Sequence, residues 1–315
     1  MNFLVVGPGA MGCLFASHLK RAGIDVTLLD YRQDRADFIN EHGIRVEGVT
    51  GNHTVKVPVV VGKSSDIPEV ILICVKANQT QRAADALKSW VGDRAYILTV
   101  QNGLGNVDIL QDIFGRERVL GGITAEGATL MGQGHVRHAG QGDTIIGPQG
   151  DPDGPVSRTI TDFNRAGFSA RAVDNVEDLI WSKLIINVGI NALTAITRLK
   201  NGRLPHVDGT RSIMEEAVKE AVAIVREKGI NLSYPDPLAR VLEVCEATAD
   251  NIASMLQDVL RQGTTEVDYI NGAIVREGEK LGLPTPVNQT LTSLVRAIQE
   301  TYDQQQVPFP SSSQE

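Results

Sequence analysis

Phe3-Leu4-Val5-Val6-Gly7-Pro8-Gly9-Ala10-Met11-Gly12 is the stretch that decides the fold. Its four leading apolar residues do not alternate with polar ones, as expected of a strand buried on both faces of a parallel sheet. The glycines that follow have the GxGxxG spacing, a weak signal when it stands alone. Here it has a context. A helical pattern through Leu14, Phe15, Ala16, His18 and Leu19 stops at Gly23, a second strand runs from Val26 to Leu29, and Asp30 closes it. Strand, glycine turn, helix, strand and an acid about 20 residues on form a dinucleotide-binding unit. In such a unit Gly7 permits the tight turn, Gly9 lets backbone N–H groups approach a pyrophosphate, and Gly12 lets the helix pack on the strand. Pro8, Ala10 and Met11 complete the turn, and the helix N-terminus adds partial positive charge.

Asp30 favours the free ribose 2′-hydroxyl of NAD and would repel the 2′-phosphate of NADP. Arg32 follows it, with Arg35 beyond, and an arginine there can clamp a phosphate. Both coenzymes therefore stand at this point. Farther out, Ile44 to Val61 reads as a hairpin or irregular strand pair with Gly48 and Gly51 between. Val70 to Val75 is another buried strand and delivers Lys76; Tyr96 to Val100 delivers Gln101-Asn102-Gly103. Ligands of open α/β sheets lie at the carboxyl ends of strands, so Lys76 and Asn102 are candidate coenzyme contacts. Val119 to Glu126 and His135 to Gly147 read as further strands with Ala128 in the loop between them, and Phe168 to Val173 as a last one. The reading is a Rossmann domain over residues 1–173.

After Asp174 the pattern becomes helical: about 176–197, 212–227 and 237–261, then two shorter helices, 267–281 and 288–302. An all-α domain over 174–305 and a polar tail at 306–315 follow. In the first helix Lys183, Asn187 and Asn191 are spaced four apart, so each sits about 40° round from the last and the three line one polar stripe. A cation and two amides in an otherwise apolar segment need partners, and a polar ligand can supply them. Asn251 and Ser254, three apart, are expected on one face of the third helix, and Glu266 stands near a helix start.

The chain has 315 residues and a formal net charge of −8, which argues against general affinity for nucleic acid or acidic membrane. No stretch is expected to reach the length of a membrane span, and Met1 runs directly into a strand, which predicts a cytoplasmic protein without a leader. Cys13, Cys74 and Cys245 are scattered among apolar neighbours, and His135 and His138 have no acidic or cysteine companion nearby in sequence, so no metal site is expected. The helical half is a candidate homodimer surface, although no heptad seam specifies one.

The motifs Gly7 to Gly12, Val75-Lys76-Ala77, Gln101-Asn102-Gly103, Trp181-Ser182-Lys183 with Asn187 and Asn191, Lys200-Asn201-Gly202, Asn251 to Asp258 and Thr265 to Gly272 occur in this order over nearly the whole chain. In them the chain resembles the ketopantoate reductase (2-dehydropantoate 2-reductase) family. The first motif is common to many dehydrogenases; the last two are far more specific. The resemblance implies an α/β Rossmann domain followed by an all-α domain like the C-terminal one of 6-phosphogluconate dehydrogenase. It also implies reduction of 2-dehydropantoate to (R)-pantoate with NADPH, on the way to pantothenate and coenzyme A. By the same resemblance Lys183 looks like the general acid, with Glu266 beside it. Asn187, Asn191, Asn201, Asn251 and Ser254 look like substrate contacts, and Lys76, Asn102, Ala128 and Glu266 like coenzyme or active-centre contacts. Many relatives carry an arginine near Tyr31, where this chain has Asp30-Tyr31-Arg32, so NAD stands beside NADP. Two rivals are a dehydrogenase of the same plan acting on another 2-oxo or 3-hydroxy acid, and a coenzyme-binding protein without chemistry.

Overall fold

The structure, a computed structural model, describes residues 1–64, 66–148, 150–152 and 154–305; the expected polar tail at 306–315 lies outside them. Two compact units emerge, Met1–Gln101 with Gly105–Leu179, and Asn102–Leu104 with Ile180–Glu315.

The first unit opens with β1 (Asn2–Val6), α1 (Ala10–Arg21), β2 (Asp25–Asp30), α2 (Gln33–His42), β3 (Ile44–Gly48), β4 (His53–Val55) and β5 (Val59–Val61). It continues with β6 (Val70–Ile73), α3 (Thr80–Val91), β7 (Tyr96–Thr99), α4 (Asn106–Phe114) and β8 (Val119–Thr124). Last come β9 (Gly127–Gly132), β10 (His135–Gly140), β11 (Asp143–Gly147), α5 (Pro155–Arg165) and β12 (Ser169–Ala172). The main sheet has the order β12-β11-β8-β7-β6-β1-β2-β5. From β5 to β8 every pairing is parallel, and β11 then runs antiparallel to β8. The chain leaves β1 toward β2 on one side and returns to β6 on the other. That reversal is the crevice where doubly wound sheets bind ligands.

The unalternating run of β1 is explained by its neighbours. Phe3 and Val5 enter one apolar cluster with α1 and α5, while Leu4 and Val6 enter another with α3 and α4. Both faces are covered, so every position is apolar. A smaller sheet, β4-β3-β10-β9, packs beside α1. Within 44–61, β3 and β4 form the expected antiparallel pair, whereas β5 departs to the edge of the main sheet. Ala128, expected in a loop, lies instead on β9 opposite His138. The two-residue turn Gln133-Gly134, with Gly134 at φ +62°, closes β9 onto β10 as a hairpin.

The helices that follow are α6 (Glu177–Thr197), α7 (Asp208–Lys228), α8 (Pro237–Ala247), α9 (Ser254–Leu260), α10 (Asn271–Leu281) and α11 (Pro286–Glu300). Among the described residues after 174 there is no strand. The core of the second unit gathers on α6, through Trp181, Leu184, Ile185, Val188 and Ala192. Two expectations are corrected. The helix expected over 237–261 is two helices, because residues 248–251 pair their backbone elsewhere: Asn201 N donates to Asn251 O and Gly202 N to Ala249 O, each at 3.2 Å. The approach is tight, since a Cβ on Gly202 would lie 2.5 Å from that of Ala249. Second, α6 does reach the length of a membrane span: within its 21 residues an 18-residue window has a mean hydropathy of 1.6, and two-thirds of that window is buried inside the protein.

Candidate active site

The glycine turn after β1 separates three demands. Gly7 has φ +98°, which excludes most side chains, and a Cβ on Gly12 would lie 2.0 Å from Gly7 O. Gly9 differs from both: its φ of −76° and ψ of −168° suit any residue, and a Cβ there meets nothing within 4 Å. Neither backbone nor packing requires glycine at 9, and its open side leaves room for a ligand to approach the backbone. Gly9 caps α1 without a side-chain acceptor, which leaves the first N–H groups of the helix to a ligand or water. Pro8 is buried, and its carbonyl accepts from Cys13 Sγ at 3.4 Å.

Asp30, expected to favour the ribose 2′-hydroxyl of NAD, is covered. Its carboxylate accepts from the N–H of Tyr31 at 2.7 Å and of Arg32 at 3.1 Å, and from Arg35 Nε and Nη2 at 2.5 and 2.6 Å. No part of its side chain is exposed. Arg32 pairs instead with exposed Asp34. Exposed Tyr31 lies against two guanidinium groups, Arg35 at 5.5 Å and Arg82 of α3 at 5.9 Å from its ring centre. Sequence reasoning missed this aromatic plate because Arg82 arrives from a distant helix.

Lys76 is half-buried just past β6, and Ala128 is half-buried on β9. Gln101 braces the neighbouring strand ends, its Nε2 donating to Val75 O at 2.7 Å and Thr80 Oγ1 at 2.9 Å. Asn102, Gly103 and Leu104 group with the second unit, where Leu104 N donates to Tyr269 O at 2.9 Å. Gly103 is obligatory there: at φ +87° its Cβ would lie 2.4 Å from Tyr269 O.

The stripe on α6 is as the spacing implies. Asn191 is buried, while Lys183 and Asn187 keep part of their surface. Burial lowers the Lys183 amine from 10.5 to about 8, and the nearby charge of Glu266 opposes the shift. Glu266 is buried at the start of a single 3-10 turn, Val267–Tyr269. A lysine poised near neutrality beside a carboxylate can deliver a proton to an oxygen that gains negative charge.

Asn201 and Asn251 are brought together by the backbone pairing that breaks 237–261. Asn201 Nδ2 donates to Thr248 Oγ1 at 2.9 Å, whereas its buried Oδ1 has no protein partner, an acceptor left for a ligand or water. Asn251 and Ser254 do not share a helix face: Asn251 lies in the loop and Ser254 is the first residue of α9, both exposed. Among the described residues no cluster of His, Cys, Asp or Glu could hold a metal.

Comparison with known proteins matches both halves of the chain to one family. The model described as ketopantoate reductase PanE/ApbA covers residues 3–150, and the C-terminal model of that family covers 175–299. A 2-dehydropantoate 2-reductase of Pyrococcus horikoshii is 35% identical over 299 residues, 94% of this chain and 97% of the relative. A PanE/ApbA family ketopantoate reductase structure from Ralstonia eutropha has a TM-score of 0.86 at 35% identity, covering 96% of this chain and all 100% of its own. The ternary structure of D-mandelate dehydrogenase with NADH and anilino(oxo)acetate has a TM-score of 0.88 at 28% identity, covering 96% of this chain and 100% of its own.

Proposed function

The chain belongs to the ketopantoate reductase (PanE/ApbA) family, and from that premise we propose that it reduces 2-dehydropantoate to (R)-pantoate with NADPH, in the cytoplasm, for pantothenate and coenzyme A synthesis. The observation that carries the chemistry is Lys183, an amine whose burial brings it to about 8 on a stripe shared with Asn187 and Asn191.

The glycine turn suits a dinucleotide, since the open side of Gly9 and the uncapped N-terminus of α1 offer backbone N–H groups to its phosphates. Pro8, Ala10, Met11, Lys76, Asn102 and Ala128 are the further coenzyme contacts of this reading. Reduced nicotinamide, when bound, would supply hydride to the carbonyl carbon. As that carbon is reduced its oxygen gains negative charge, which the Lys183 ammonium stabilises and then quenches by giving up its proton. Glu266 helps keep the amine protonated. Asn187, Asn191, Asn201, Asn251 and Ser254 hold the carboxylate and hydroxyl of the substrate without adding charge, and the partnerless Oδ1 of Asn201 supports a hydroxyl donor opposite it. We expect Lys183→Ala to fold and bind coenzyme but to turn over at least roughly a hundredfold more slowly, the usual scale for a positioned acid. Turnover close to wild type would remove the mechanism.

The NADPH reading is supported by the pairing of Asp30 with Arg35, which offsets the charge that would repel a 2′-phosphate, and by Arg82 beside Tyr31. The Arg32 guanidinium is held by an ion pair with exposed Asp34, which a phosphate can displace. Initial rates with NADPH and NADH test this, and Arg82→Ala should raise KM for NADPH while leaving NADH untouched. A second reading, NADH-linked turnover of a different 2-oxo acid, is favoured by the likeness to D-mandelate dehydrogenase. A panel of 2-oxo acids with both coenzymes separates the two.

A further inference from the structure

Ser182, the residue before Lys183, is bonded from three directions by the segment that joins α7 to α8. Tyr234 Oη donates to Ser182 O at 2.6 Å, Ser233 N donates to Ser182 Oγ at 2.9 Å, and the two serine hydroxyls lie 3.1 Å apart. The joining segment is stiff: Pro235 fixes one of its dihedrals, Pro237 opens α8, and Asp236 caps that helix by accepting from Ala239 N at 3.0 Å. On the other flank of Ser182, Trp181 lies under the Lys228 ammonium at 5.7 Å, and Lys228 is itself paired with Glu277 at 2.7 Å. Ser182 O belongs to the interior of a helix, where the backbone four residues on is its ordinary donor, so the fold does not need a tyrosine to satisfy it. A second donor at such a carbonyl instead fixes where that turn sits along the helix and how it faces.

We propose that Tyr234 and Ser182 are positioning residues for Lys183, clamping the turn of α6 from which that side chain springs. The inference rests on the reading of Lys183 as proton donor. Burial and the Glu266 charge act on its amine in opposite senses, and both depend steeply on distance. A turn that slides or rotates therefore changes both the reach of the amine and its acidity. Burial raises the Tyr234 hydroxyl well above its usual range, so it remains a donor at any pH at which the protein is assayed.

The test is the pH dependence of kcat in Tyr234→Phe and Ser182→Ala of the full chain, with NADPH and 2-dehydropantoate. Each variant should lose turnover by roughly five- to twentyfold, since misplacement by about 1 Å costs up to a hundredfold. KM for coenzyme should stay constant, and the alkaline limb should move to higher pH as water reaches the amine. Ser182→Thr, which keeps the hydroxyl, should recover most of the loss. A lower melting temperature with kcat and the alkaline limb unchanged would mean a structural role only, and would overturn the proposal. Lys183→Ala, assayed in parallel, separates the two levels. If it is inactive while the limb of Tyr234→Phe does not move, the clamp alone fails; if it keeps turnover, the proton-donor reading fails first.

Discussion

Two glycines three residues apart should fail differently when substituted. Gly12→Ala places a methyl 2.0 Å from the Gly7 carbonyl, and the turn must open; a loss of stability on the order of 1 to 3 kcal/mol is expected in urea unfolding. Gly9→Ala meets no protein atom and loses only the N-cap preference of glycine over alanine, so its melting temperature should fall far less than that of Gly12→Ala while the thermal shift produced by saturating NADPH shrinks. Equal destabilisation by both would contradict the ligand-facing role of Gly9. At Lys183 the stability effect runs the other way. Its folded amine titrates near 8 rather than 10.5, so between these values the unfolded chain binds the extra proton. Stability is therefore gained as pH rises through that window, and below it the charged lysine costs on the order of 3 kcal/mol. Lys183→Met should raise the melting temperature at pH 7 while abolishing turnover. In the wild type, turnover should fall as pH rises through about 8, because the protonated amine is the active form.

Buried polar side chains tie whole elements together. Asn288 of α11 donates to Ala217 O of α7 at 3.0 Å and to Glu220 at 2.7 Å, and accepts from Asn271 of α10 at 2.9 Å. Asn271 also donates to Val188 O of α6 at 3.2 Å. Four helices meet in that chain of amides, and Asn288→Ala strands several of its members at once. A cost on the order of 2 to 4 kcal/mol is expected by chemical unfolding, against about 0.5 for a surface change. In the first unit, His138 of β10 bridges Glu126 at 2.6 Å and Thr50 at 2.9 Å, and His18 of α1 stands edge-on to it. Burial lowers the pKa of His18, and that of His53 on β4 to about 4. A histidine depressed in the folded state binds fewer protons than in the unfolded one, so stability should fall as pH drops below 6.5 and continue falling toward about 4. Melting temperatures measured from pH 7.5 down to 5 should decline, and His53→Gln should flatten the slope.

At the scale of the molecule, what could be read from the sequence was whatever local spacing determines. The turn from Gly7 to Gly12 and the stripe Lys183, Asn187, Asn191 are set by neighbours one to four residues away, and both fold as their spacing implies. The break between α8 and α9 was not legible, because the helix yields there to backbone pairing with Asn201 and Gly202, almost 50 positions earlier. The cover over Asp30 was half visible: Arg35 is nearby in sequence, but its approach depends on how α2 leaves β2. Ala128 was misread because β9 shows no alternation of buried and exposed positions that would mark it as a strand.

The apolar length of α6 has a consequence for synthesis. A ribosome releases α6 before α7, α8 and α10, which pack against it, have been made, and for that interval a helix with an 18-residue window of mean hydropathy 1.6 is open to membrane-insertion machinery. A lysine inside such a segment opposes insertion by about 2.5 to 3.5 kcal/mol at the centre of a span, and its asparagines add to that. The isolated segment fused into an insertion reporter should thus stay out of lipid far more often with Lys183 than with Lys183→Leu, a benefit to the nascent chain independent of catalysis.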